Sequence, residues 1–126
     1  MTDGNPESGP EAPDGCPCLD PETHFCGFET KSIGVDDQYG EVAVWTCKQC
    51  GRHWLRYFIE YEYLTAGGRM FTGVISAETA ARVKPKTAVD MFARMPWYFR
   101  GGSAFGRKLL RTTGPLAPWL IPFPGK

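Results

Sequence analysis

Two cysteines separated by two residues and followed by a glycine constrain this chain more than any other feature. They form the run Cys47-Lys48-Gln49-Cys50-Gly51, which lies between two segments rich in valine, tryptophan and tyrosine. Cysteines at this spacing can direct both sulfur atoms at one tetrahedral metal ion. A terminal glycine suits a turn whose backbone has positive φ or closely approaches a thiolate. The run therefore predicts a strand, a metal-binding turn and a second strand.

A complete tetrahedral site needs a second pair of ligands, and the preceding part of the chain supplies candidates. Cys16 and Cys18 come before the first predicted strand, as the leading turn of such a site should. His24 and Cys26 form the alternative pair, and His53, just after the second turn, is a further alternate ligand. A site made of four cysteines would leave no open position for water, so it would be structural and not catalytic.

The order of these elements resembles that of a zinc ribbon over about residues 16–64. In that family, two cysteine turns at the ends of β-hairpins hold one structural zinc ion. The second turn matches the family pattern at Cys47, Cys50 and Gly51, whereas the first turn has only Pro17 between its cysteines instead of two residues. The resemblance implies Zn²⁺ as a structural cofactor, with iron in a rubredoxin-like redox site as the alternative.

Alternation of apolar and polar residues predicts a small antiparallel sheet of three or four strands. The clearest case is the segment 53–64, where Leu55, Tyr57 and Ile59 lie on one face and Arg56, Glu60 and Glu62 on the other. The predicted strands cover residues 25–33, 41–46, 53–64 and 69–75. Glycine- and aspartate-rich residues 34–40 predict a hairpin loop between the first two strands.

After the strands, the hydrophobic pattern changes to that of helices. Ser76 is a candidate N-cap for a short helix over residues 77–83, and Thr87 for a second helix that ends at Pro96. In the second helix the apolar residues that share one face are Ala88, Met91, Phe92 and Met95. The fold prediction is thus α+β: a zinc-ribbon sheet with one or two short helices packed on one face, then an irregular C-terminal tail.

A chain of 126 residues is most simply one domain. Residues 1–15, rich in glycine, proline and acidic side chains, predict a disordered acidic tail before a single domain over residues 16–126. That domain divides into a β ribbon (16–76), a helical part (77–95) and an irregular basic and apolar tail (96–126). Residues 1–24 contain six acidic and no basic side chains, whereas residues 82–126 contain nine basic side chains and one acidic.

The sequence shows no targeting signal, and this observation and the number of cysteines together predict a cytoplasmic protein. No stretch approaches the roughly 20 apolar residues that span a bilayer, and the N-terminus lacks a secretory pattern. The five cysteines are an odd number, which argues against a simple secreted disulfide framework. We therefore expect no membrane partner, and cysteines that are free to bind metal in a reducing compartment.

The sequence shows no clustered acid–base pair and only two histidines, so it predicts no enzyme and no small-molecule substrate. The predicted function is non-catalytic binding of another protein, as an adaptor or immunity-type inhibitor, with Trp45, Trp54 and Phe58 as candidate anchors on the sheet. The alternative is a nucleic-acid-binding zinc-ribbon accessory factor that uses the basic, aromatic C-terminal half. Candidate partner-binding residues there are Trp97, Arg100, Arg107, Lys108, Arg111 and Trp119.

Overall fold

A computed structural model describes residues 16–61, 65, 67–103, 106 and 108–115. Its main element is one antiparallel sheet of six strands, in which each strand pairs with the next along the chain. The strands are β1 (Phe28–Val35), β2 (Glu41–Cys47), β3 (His53–Glu60), β4 (Gly68–Ile75), β5 (Tyr98–Gly101) and β6 (Leu110–Thr112). The predicted acidic tail over residues 1–15 lies outside the described residues.

The predicted fold class is wrong, because the sheet has six strands and the protein is mainly β. Both additional strands fall in the region that the sequence predicted to be an irregular tail. β5 is only four residues long and β6 only three, too short for an alternating pattern to be visible. They become strands because β5 finds hydrogen-bonding partners on β4, and β6 in turn on β5.

Two short helices between β4 and β5 cover one face of the sheet, which we call the helix face. They are α1 (Ala77–Ala80) and α2 (Ala88–Ala93), both shorter than predicted. The Ser76 side chain caps α1 as expected, accepting a hydrogen bond from the Thr79 N–H at 3.0 Å. The Thr87 hydroxyl instead donates to the Lys84 carbonyl at 3.1 Å, so the predicted cap of α2 is absent.

The helix face holds the larger apolar core. Its strand residues point to one side because alternate side chains of a strand share a face. Phe92 from α2 is fully buried against them, and Met95 follows at 9% exposure. A side chain at Gly73 would collide with the Met95 sulfur, so this glycine permits the close approach. The buried members of this core are Val42, Val44, Leu55, Tyr57, Ile59, Phe71, Val83, Ala88, Phe92, Met95 and Tyr98.

The opposite side of the sheet, which we call the cysteine face, carries a smaller cluster. Trp54 on β3 is fully buried there and stacks on Phe99 of β5, with ring centroids 5.7 Å apart. The remaining buried members are Cys16, Cys18 and Cys47. Among the described residues, the cover on this side comes from a 3-10 turn (Pro17–Leu19) and not from a helix. The predicted metal ligands therefore lie at one end of the cysteine face.

Candidate metal centre

Two turns that are distant in sequence bring four thiols together. Cys16 and Cys18 belong to the 3-10 turn that precedes β1, whereas Cys47 ends β2 and Cys50 lies in the turn to β3. The four Sγ atoms all lie within 4.8 Å of one another. Two pairs are closer: Cys16 Sγ is 3.6 Å from Cys47 Sγ, and Cys18 Sγ is 3.6 Å from Cys50 Sγ.

These distances fit the donor set of a tetrahedral metal ion. Four thiolates at about 2.3 Å from a zinc ion would have their sulfur atoms about 3.8 Å apart. A disulfide would need about 2.05 Å, and all four cysteines are free thiols. Three of the four are buried and Cys50 is half-buried. The cluster is therefore compatible with a metal site, and its chemistry fits an ion that prefers sulfur ligands.

The second turn has the backbone that its sequence predicted. Gly51 has a φ of 81°, in the left-handed region that favours glycine. The Gly51 N–H donates to the Cys47 carbonyl at 2.9 Å, and the Cys47 N–H donates to the Arg52 carbonyl at 2.9 Å. The Gln49 N–H points back at Cys47 Sγ at 3.4 Å. The turn thus orients its sulfurs and also directs a backbone donor at one of them.

The leading turn reaches the same geometry with a single residue between its cysteines. Pro17 begins the 3-10 turn, which needs no N–H at that position. The Leu19 N–H donates to the Cys16 carbonyl at 3.0 Å, and the Thr23 hydroxyl donates to the Pro17 carbonyl at 2.7 Å. This compact turn explains why a spacing shorter than the zinc-ribbon pattern still places both sulfurs in the cluster.

Arg52 is a residue of the site that the sequence analysis missed. Its side chain is 4% exposed, and its Nη1 donates to Cys50 Sγ at 3.2 Å. Four thiolates around a divalent ion carry a net charge of −2, so a buried guanidinium at this position offsets part of that charge. In the sequence, its role is indicated only by the position of a basic residue directly after the turn glycine. That arrangement is too common to predict a contact with the cluster.

The thiols of the cluster differ in how readily they ionise. Burial opposes ionisation of Cys47, but hydrogen bonds from the backbone N–H groups of Cys50 and Gln49, together with those from the Cys16 and Cys50 thiols, lower the pKa of Cys47 to about 6. Burial raises the pKa of Cys16 to about 11, and it raises the pKa of Cys18 further above its ordinary value. The protein alone therefore favours ionisation of Cys47 over that of Cys16 and Cys18, and the positive charge of a bound metal ion would favour the thiolates of the latter two.

His24 supports the leading turn from the interior. It is 1% exposed, and its Nδ1–H donates to the Cys18 carbonyl at 2.8 Å. Its ring packs against Trp54 and Phe28, with centroids 4.7 and 5.1 Å away. Burial lowers the pKa of His24, which keeps the ring neutral. The four-sulfur group does not include His24.

The other two alternate ligands, Cys26 and His53, also lie outside the four-sulfur group. Cys26 is half-buried and packs beside the cluster; burial and the neighbouring Cys47 raise its pKa. His53 precedes the cysteine-face residue Trp54 on β3, so strand alternation turns it toward the helix face. There its Nδ1 hydrogen-bonds with the Thr46 hydroxyl at 2.9 Å.

The fold brings two of the candidate partner-binding residues of the C-terminal half, Trp97 and Arg111, into contact. Arg111 is exposed on β6 with its guanidinium carbon 4.0 Å from the centroid of the half-buried Trp97 ring, and Lys108 is exposed nearby in sequence. Arg100 is half-buried in β5. Arg107 and Trp119 lie outside the described residues.

Comparison of the chain with protein-family models, with curated proteins and with solved structures finds no match in any of the three. In the part of the chain that the structure describes, no helix is long and apolar enough to cross a membrane. The cysteine cluster and the surfaces around it are thus the basis on which a function can be proposed.

Proposed function

We propose that this protein is a zinc-stabilised, non-catalytic module that acts by binding another protein, as an adaptor or immunity-type inhibitor. The observation that carries the proposal is the closed set of four sulfurs at metal-binding distances. Four thiolates complete a tetrahedral zinc site and leave no position for water or substrate. The zinc-ribbon resemblance favours zinc over iron, and free thiols suit a reducing compartment such as the cytoplasm.

The metal would join two parts of the chain that are distant in sequence. It would link the leading turn, Cys16 to Cys18, to the end of β2 and so close the cysteine face. Among the described residues, that face has five buried residues in its cluster, against eleven in the core of the helix face. Coordination to a metal can replace apolar area that a small domain lacks, because the free energy of binding adds directly to that of folding.

Both histidines make hydrogen bonds within the fold, which is consistent with a role that involves no catalysis. His24 is buried against the Cys18 carbonyl, and His53 bonds with Thr46 on the other face of the sheet. Neither histidine belongs to the four-sulfur cluster. A binding protein needs only a rigid surface, and a sheet pinned by a metal provides one.

Metal content measured by elemental analysis tests the proposal. We expect one zinc ion per chain in the native protein and in Cys26→Ser, the matched control. Cys16→Ser and Cys47→Ser should each lose the metal. After replacement of zinc by cobalt(II), the absorption spectrum should show a tetrahedral thiolate site that azide does not change.

Four results would contradict the proposal. Loss of zinc in Cys26→Ser would assign a different ligand set, and iron in the native protein would favour a redox role. Azide binding to the cobalt form would reveal an open coordination position, as catalytic metal sites have. A freshly reduced protein without any metal would remove the basis of the proposal.

The exposed Arg111 beside Trp97 is the observation in favour of the alternative, nucleic-acid-binding function. It gives limited support, because the Trp97 ring already contacts the guanidinium and the aromatic residues of the cysteine cluster. Binding of a single-stranded oligonucleotide that weakens steeply with salt and with Arg111→Gln would favour this alternative.

A further inference from the structure

We infer that the partner docks on the cysteine face at Trp45, Arg56 and Phe58, where the Arg56 guanidinium pairs with an aspartate or glutamate carboxylate of the partner protein. We call these three residues the Arg56 patch. The inference rests on the proposed function, and it adds the surface and the chemistry of the partner segment.

The sheet register places the three side chains of the patch on one surface. Trp45 pairs with Trp54 across β2 and β3, and Arg56 and Phe58 follow Trp54 at alternate positions of β3. The guanidinium carbon of Arg56 is 4.3 Å from the centroid of Trp45 and 5.7 Å from that of Phe58. All three side chains are half-buried. The two rings therefore hold the guanidinium in a defined position at the surface of the sheet.

The hydrogen-bonding capacity of this guanidinium is not used within the described part of the protein. Its contacts there are with the two rings, and its buried Nε has no acceptor. Thr72, the neighbour of Arg56 across β4, is 1% exposed, and its hydroxyl also lacks a partner among the described residues. A guanidinium has five N–H donors, and unsatisfied polar groups in a partly buried place are costly. Arg56 Nε and the Thr72 hydroxyl are buried, so an acceptor supplied from outside would pair with the Nη groups of Arg56.

The shape and charge around Arg56 favour a single carboxylate. A planar guanidinium matches the two oxygens of a carboxylate and can form two parallel hydrogen bonds with them. Partial burial lowers the pKa of Arg56 from its ordinary value, whereas the nearby Glu41 acts in the opposite direction. Glu41 is exposed and pairs with Phe58 across β2, and Glu60 follows on the same face. These two acids disfavour a polyanion such as a nucleic acid, but they leave room for one acidic side chain.

Apolar surface continues on either side of the patch. Phe25 is 58% exposed and makes an edge contact with Trp45, with centroids 6.3 Å apart. On the other side, Phe58 borders an open cavity of about 510 Å³ that Tyr39 and Tyr61 also line. Tryptophan and arginine surrounded by aromatic residues are typical of the residues that dominate binding energy at protein interfaces. We therefore expect the partner segment to carry an acidic residue next to apolar ones.

Selection from a library of short random peptides on the zinc-loaded full chain tests this inference. The enriched peptides should contain aspartate or glutamate beside apolar residues. Their affinity, measured by fluorescence anisotropy, should fall at least about 30-fold in Arg56→Gln, because one partner of a charge-assisted pair is lost. Arg56→Lys should bind with intermediate affinity, since it keeps the charge but loses the planar fork. The Nε–H signal of Arg56 should shift on peptide binding in nuclear magnetic resonance spectra.

Arg82→Gln is the matched control, because it removes the same charge from an exposed side chain near α1. Its peptide affinity should be unchanged, and zinc content should be equal in all variants. If Arg56→Gln binds the enriched peptides as tightly as the native chain, this inference fails while the proposed function stands. Enrichment of basic or uncharged peptides, or Arg56-dependent binding of a single-stranded oligonucleotide, would also overturn it. Failure to enrich any peptide would count against both the inference and the proposed function.

Discussion

The two faces of the sheet are closed in different ways. On the helix face, a segment of more than twenty residues between β4 and β5 places apolar side chains such as Phe92 and Met95 on the strands. On the cysteine face, the three-residue turn Pro17–Leu19 and its flanking cysteine take that place. Apolar burial contributes in proportion to area, so it needs many residues. Metal coordination by the four cysteines would concentrate a comparable contribution in four atoms, so a short turn would suffice.

This difference predicts that the two faces respond to different perturbations. The helix face should be sensitive to lost apolar volume and insensitive to metal. The cysteine face should be sensitive to metal and to the groups that hold the thiolates. Four experiments separate these responses.

The largest effect is expected when the metal ligands are removed. Cys47→Ser, or treatment of the native protein with a chelator, should lower the free energy of unfolding by more than about 3 kcal/mol, because structural zinc binding provides about 10–16 kcal/mol. Amide hydrogen exchange should accelerate first at residues 16–28 and 47–54, and later at α2. Cys26→Ser is the control, and its stability should remain sensitive to the chelator. Equal loss of protection on both faces would show that the metal does not act locally.

Removal of a large side chain from the helix face should have the next largest effect. Phe92 is fully buried, so Phe92→Ala should lower the free energy of unfolding by about 3–5 kcal/mol in denaturant titrations. Zinc affinity, measured by competition with a chromophoric chelator, should stay unchanged. A parallel fall in zinc affinity would mean that the two faces are coupled through the sheet.

Loss of the buried cation beside the cluster should act mainly through lower metal affinity. Arg52→Gln removes the donor at 3.2 Å from Cys50 Sγ, and it should lower zinc affinity about 10–100-fold. Lys48→Gln, in the same turn but exposed, is the matched control and should change the affinity little. Equal effects of the two substitutions would mean that Arg52 acts only through its charge and not through its hydrogen bond to Cys50.

The smallest effect is expected from a hydrogen bond that anchors the β1–β2 hairpin to the helix face. The Tyr57 hydroxyl donates to Asp36 Oδ2 at 2.8 Å, so Tyr57→Phe should lower the free energy of unfolding by about 1 kcal/mol. Burial and Asp36 raise the pKa of Tyr57 above its ordinary value of 10.0. The contribution of the neutral phenol is therefore complete below pH 10 and is lost as the pH rises further.

Tyr57→Phe should accordingly be less sensitive to alkaline pH than the native protein. Tyr39→Phe is the control, because Tyr39 is 83% exposed. Native and Tyr57→Phe proteins that lose stability in parallel above pH 10 would contradict the assignment.

The sequence alone determined the features that depend on neighbouring residues. The spacing of Cys47 and Cys50, with Gly51 after them, predicted a turn that the structure contains, and the predicted pairing with Cys16 and Cys18 matches the cluster. Alternation in β3, and composition and flanking turns in β2 and β4, located these three strands to within a few residues. The Ser76 cap was equally visible, because its hydrogen bond closes within three residues.

Only the tertiary structure decided the features that depend on distant residues. β5 forms because it pairs with β4, and β6 forms because it pairs with β5. No local sequence pattern predicts these pairings. Arg52 reaches the Cys50 sulfur, and His24 reaches the Cys18 carbonyl, because of how the turns fold back. Trp54 and Arg56 lie on the same face of one strand, yet one is buried under the cysteine turn and the other remains at the surface. Periodicity assigns a side chain to a face, but whether that face is covered depends on contacts between elements far apart in the chain.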